Sequence, residues 1–179
     1  MRTDKFTTFL DVTPEVLKFV KDIIAEDKLR ALQMVTFKVG RDIEYRSDTE
    51  GYGIPEKFAP PWQTLANGFG DCEDVAVLIC TSMNGLPEQL RPEKIRWTVG
   101  RYSKLPIPRP VIPIIGVPIP SPVPMFPWEI YHSWAEVLID GVWWIAEGTS
   151  GDVFYGTDPR YTPLFSINTH GMEIHAGGW

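Results

Sequence analysis

The chain has 179 residues, 44% of them hydrophobic and 22% charged, which fits one domain spanning residues 1–179 with room for a core that needs no disulfide or metal staple. A formal net charge of −6 and a pI near 5.1 give a surface that repels phosphate backbones, so nucleic acid is not an expected partner. No stretch reaches the ~18 uninterrupted apolar residues of a membrane span, and Met1 to Val12 lack the apolar run of a signal peptide. The expectation is a cytoplasmic protein with no membrane partner.

In chain order, Thr13-Pro14-Glu15 reads as a helix start: an N-cap, a proline at the first helical position, an acid in the first turn. Val16, Leu17, Val20, Ile23 and Ile24 follow at helical spacing. A second helix runs from Asp27 to about Val39, with Leu29, Leu32, Val35 and Val39 on one stripe. Asp48 to Pro61, with two glycines and three prolines, reads as an irregular loop. A third helix begins near Asp71 and ends at Asn84-Gly85, where glycine suits a left-handed cap. Strands follow: Lys94 to Tyr102, Ile130 to Ile139, and Val142 to Ala146. Asp140-Gly141 between the last two is a strong hairpin signal. Helices first and antiparallel strands later imply an α+β domain. Residues 105–128 hold nine prolines among Ile, Val, Met and Phe, which forbids a central strand or helix interior. The segment reads as an insertion of extended arms between two strands. It is either an apolar flap or a contact surface for substrate or a protein partner.

The chemistry concentrates at Gly70-Asp71-Cys72-Glu73-Asp74. Asp71 and Asp74 are spaced like an N-cap and its partner three residues on, which places Cys72 in the first turn. Unpaired N–H groups and the helix dipole there favour the thiolate, the nucleophilic form. Glu73 and Asp74 oppose it by like charge, so an imidazolium nearby is needed. Cys80, mid-helix among Val77, Leu78 and Ile79, reads as core. Eight residues along a helix span about 12 Å, too far for a disulfide between the two cysteines.

A two-residue turn at Asp140-Gly141 sets Ile139 opposite Val142 and Trp134 opposite Glu147. His132 and Glu147 then share a sheet face as diagonal neighbours. A carboxylate beside an imidazole fixes its tautomer and stabilises its charged form. Glu136 on the same face and Asp152 just beyond are alternative orienting acids. Cys72, His132, His170 and His175 match no zinc spacing, so neither metal nor cofactor is expected.

Trp62 with the run Thr64 to Ala76 resembles the nucleophile region of the bacterial transglutaminase-like cysteine proteinases. His132-Ser133-Trp134-Ala135-Glu136-Val137 resembles the histidine strand of the wider superfamily, and Trp143 to Thr149 its third motif. The resemblance covers about Ala31 to Thr149. It implies a papain-like, transglutaminase-core fold: N-terminal helices and a buried nucleophile helix packed on an antiparallel sheet. It also implies Cys72 as nucleophile, His132 as general base and Glu147 as orienting acid, where the family more often has Asp. The Cys72 backbone N–H is the expected first oxyanion donor, with the Gln63 amide, or the Trp62 indole, as the second. The implied activity is acyl transfer from a peptide or protein amide through a thioester. Hydrolysis is the leading form and amine transfer the alternative. A catalytically silent binding module using the proline-rich arm is the competing reading.

Overall fold

The computed structural model of the chain describes residues 8–103 and 129–175; the proline-rich stretch at 105–128 lies outside them. Four labelled helices precede and one carries the candidate nucleophile: α1 Pro14–Val20, α2 Lys28–Asp42, α3 Asp48–Tyr52, α4 Pro61–Asn67 and α5 Cys72–Asn84. Two-residue strands β1 Glu44–Tyr45 and β2 Phe69–Gly70 pair in parallel, with Tyr45 opposite Gly70. The main sheet is formed by β3 Lys94–Ser103, β4 Glu129–Ile139, β5 Val142–Glu147, β6 Asp152–Tyr155, β7 Tyr161–Asn168 and β8 Gly171–Ile174. Its order is β6-β5-β4-β3-β7-β8, antiparallel throughout.

Each helix forms where a local signal permits it. The Asp27 side chain accepts from the Arg30 N–H at 2.7 Å and caps α2. The Asp71 side chain accepts from Asp74 and caps α5. Two expectations need correction. Asp48 to Pro61 is not a plain loop: a Ser47/Glu50 capping box starts α3 within it. Gly85 is not left-handed; at φ −78° it continues the helix, its N–H reaching Thr81 and Ser82. α1 also stops at Val20, one turn short of the predicted stripe, leaving Leu17 half-exposed and Ile24 at the surface.

α5 is apolar on every side and lies at the centre. Val75 through Cys80 are buried, against Leu32, Val35 and Val39 of α2 and against Trp97, Ala135, Val137 and Ala146 of the sheet. The opposite sheet face carries a second, aromatic cluster of Trp134, Ile145 and Tyr161, flanked by Tyr102 and Phe154. Gly100 makes that cluster possible, since a Cβ there would lie 2.5 Å from the Trp134 ring and 2.2 Å from the Thr162 carbonyl. Among the described residues, no helix is long and apolar enough to cross a membrane.

Candidate active site

The hairpin adopts the predicted register. Ile139 pairs with Val142 and Ala135 with Ala146, and Asp140 and Gly141 both take positive φ, 51° and 76°, as a type I′ turn needs. Glu147 ends β5 one step beyond the last pair, on the face that carries His132. The diagonal contact is made: His132 Nε2 lies 2.6 Å from Glu147 Oε2. Thr149 donates to Glu147 Oε1 twice, from its backbone N–H at 3.0 Å and its hydroxyl at 2.7 Å. The Tyr161 hydroxyl donates to Oε2 at 3.3 Å. Burial pushes the Glu147 carboxyl up, but the His132 and Thr149 interactions outweigh it and hold it below its usual value.

The other acids named from the sequence do not reach His132. Glu136 is bound by Arg96 Nε at 2.6 Å and by the Thr98 hydroxyl at 2.9 Å. Asp152 pairs with Glu147 across the β5–β6 ladder and faces solvent. His175 bonds Ser166 at 2.8 Å, and His170 is exposed in the β7–β8 turn, so neither joins Cys72.

Cys72 is the first residue of α5. Its thiol donates to Glu73 Oε2 at 3.2 Å, and the backbone of Ser133, the residue after His132, favours the charged form of the sulfur. Among the described residues, no hydrogen bond joins it to the imidazole. Burial pushes the thiol well above its usual range. The Glu73 charge and hydrogen bond and the Asp71 charge push the same way, and only the Ser133 contact opposes them. Gln63 and Trp62 stand in the first turn of α4, Trp62 being 47% exposed, and neither side chain hydrogen-bonds Cys72.

Two features escaped the sequence reading. First, β1–β2 pairing brings Tyr45 near Cys72. Its phenol is pushed up by burial and then by the charges of Cys72, Asp71 and Glu73, and it lines a cavity of about 400 Å³ together with His132, Glu147 and Tyr161. Second, Asp48 of α3 meets Asp71 and Glu73, with one oxygen from each within 4.8 Å of the others. Asp48 Oδ2 accepts from the Lys57 N–H, while its buried Oδ1 has no partner among the described residues. Burial, together with the Glu73 charge, pushes the Asp71 carboxyl far up. Among the described residues, no Lys or Arg side chain forms an ion pair with these three acids. A larger cavity of about 550 Å³ lies at the far end of the sheet by Lys94, Trp143 and His170, away from these groups.

A buried helix carrying a thiol at its first residue, packed on an antiparallel sheet, is an architecture this chain shares with solved structures. The comparisons with solved structures agree. LapG of Legionella pneumophila superposes with a TM-score of 0.56 at 14% identity, over 99% of this chain and 90% of that one. An EGTA-treated LapG gives 0.58 at 13% identity, covering 98% and 87%. A proposed cysteine protease of Cytophaga hutchinsonii gives 0.53 at 16% identity, covering 98% of this chain but only 52% of its own. No protein-family model and no curated protein sequence matches the chain.

Proposed function

We propose that the protein is a cysteine peptidase or amidase with Cys72, His132 and Glu147 as its catalytic triad. The observation that carries this reading is the 2.6 Å contact between His132 Nε2 and Glu147 Oε2, one residue before Ser133, whose backbone favours the Cys72 thiolate. With Nε2 committed to the carboxylate, Nδ1 is the nitrogen left for the thiol. His132 Nδ1 takes the Cys72 proton, and the thiolate attacks the amide carbonyl carbon. The C–N bond breaks, and the amine leaves with the proton from the imidazolium. Water, deprotonated by His132, then attacks the thioester and returns the thiol. The Cys72 backbone N–H, unpaired at the helix start, serves the oxyanion, with Gln63 as the second donor. A peptide or protein amide is the substrate class.

One of the similar structures is calcium-bound LapG, at a TM-score of 0.50 and 14% identity. In this chain the fit is good: three clustered carboxylates, an Asp48 oxygen buried with no partner among the described residues, and an Asp71 whose ionisation is opposed by burial and by the Glu73 charge. Asp48, Asp71 and Glu73 would hold a divalent cation, whose charge offsets the acids that disfavour the thiolate. Glu73 engaged as a ligand would be less available to accept from the Cys72 thiol.

The test is p-nitrophenyl acetate, a generic acyl donor. The reading predicts a burst of nitrophenolate, an acetyl adduct that peptide mapping places on Cys72, and loss of both in Cys72→Ala and in His132→Ala. Acetylation confined to lysines, or unchanged in His132→Ala, overturns it.

A further inference from the structure

The orienting carboxylate is saturated. A carboxylate offers about four acceptor sites, and Glu147 has four partners: His132 and Tyr161 on Oε2, the Thr149 amide and hydroxyl on Oε1. An ionised carboxylate only accepts, so each partner donates. His132 therefore carries its proton on Nε2, and Nδ1 keeps a lone pair in the neutral ring. The protein builds this shell from separate places. Thr149 belongs to the turn closed by the Gly151 N–H on the Glu147 carbonyl at 2.9 Å. Tyr161 arrives from the far side of β3, at the start of β7.

Tyr161 reaches the site through a β-bulge. β7 pairs Val99 with Phe165 but Gly100 with Pro163, skipping Leu164. In continuous register Tyr102 would oppose Thr162; the skipped residue brings Tyr161 there instead, on the face of His132. Its ring is then wedged among Tyr102 at 4.9 Å, Trp134 at 5.1 Å and Phe154 at 6.1 Å. Tyr102 in turn packs 5.6 Å from the His132 ring. The aromatic cluster and the carboxylate are one assembly, joined by a single phenol oxygen.

We propose that Tyr161 and Thr149 are positioning residues: they lock the Glu147 carboxylate so that His132 presents Nδ1 toward Cys72. This rests on reading His132–Glu147 as the catalytic pair. The experiment uses the full chain and the variants Tyr161→Phe, which keeps the ring, Thr149→Val, which keeps shape and backbone, and Thr149→Ser, which keeps the hydroxyl. Two readouts are taken: the p-nitrophenyl acetate burst rate, and the downfield His132 Nε2–H proton in the NMR spectrum, identified by its loss in His132→Ala. Tyr161→Phe and Thr149→Val are each expected to slow the burst about tenfold and to broaden that proton by exchange with water, with near-ultraviolet circular dichroism unchanged. Thr149→Ser is expected to restore both. Wild-type burst rate and proton signal in Tyr161→Phe and Thr149→Val overturn the proposal. Glu147→Gln separates the two levels. If it slows the burst while the Tyr161 and Thr149 variants do not, only the positioning role fails; if it too leaves the burst intact, the catalytic pair itself is wrong.

Discussion

At Cys72 two local effects oppose each other. The helix start favours a thiolate, while burial and the acids at Glu73 and Asp71 disfavour it. A cation held by Asp48, Asp71 and Glu73, as proposed, would offset those acids and favour the Cys72 thiolate. Adding calcium chloride is therefore expected to raise the rate at which Cys72 reacts with iodoacetamide, and EGTA to lower it. Asp48→Asn, which leaves both neighbours of the sulfur in place, is expected to abolish the calcium response; a response of wild-type size would remove Asp48 from the site. Glu147 gives a second residue-level prediction. Its folded pKa lies below the usual value, so its contribution to stability is present above about pH 4.5 and is lost as pH falls through the lower folded pKa. Glu147→Gln is expected to cost about 1.5–3 kcal/mol near pH 7, from hydrogen bonds to a charged group. Urea titrations should show that deficit shrinking below pH 4. A gap that widens in acid would contradict the assignment.

Among the elements, those set by neighbouring residues were legible in the sequence. The Asp140-Gly141 turn dictated the β4–β5 register, and with it the meeting of His132 and Glu147. Asp71 announced the start of α5, because capping is a matter of three residues. Thr149, two residues from Glu147, was within reach of the same local reasoning. Tyr161 was not: its place depends on a bulge in a strand pairing across more than fifty residues. Asp48 was equally hidden, since only tertiary packing brings α3 to the mouth of α5. The turn after β5 also depends on close approach. A Cβ on Gly148 would lie 2.8 Å from Val75 Cγ2 and 2.9 Å from its Cβ. Gly148→Ala is expected to cost about 1–3 kcal/mol by overpacking and to slow the acylation burst by lifting Glu147 away from the helix. Chemical denaturation and the burst assay read the two effects; unchanged values in both would show that the turn is free to move.

Across the whole molecule, one helix forms the core and also carries the proposed nucleophile, Cys72, at its first residue. α5 is buried on all sides by α2 and by the sheet, so its first residue can move little without disturbing the interior. Ile79 lies fully buried in that helix, one side of it near the Gly148 turn. Ile79→Ala is expected to destabilise by about 2–5 kcal/mol, measured by urea unfolding. The architecture itself was readable from helices followed by alternating strands. What was not readable was the state of the thiol, which bonds Glu73 and not the imidazole. The central claim is that His132 activates Cys72. The direct measurement is the iodoacetamide alkylation rate of Cys72 near neutral pH, with calcium present and the buried Cys80 as internal reference. The account predicts that Cys72 reacts much faster than Cys80, and that His132→Ala removes the difference. Equal, slow labelling of both cysteines in the wild-type protein would contradict it.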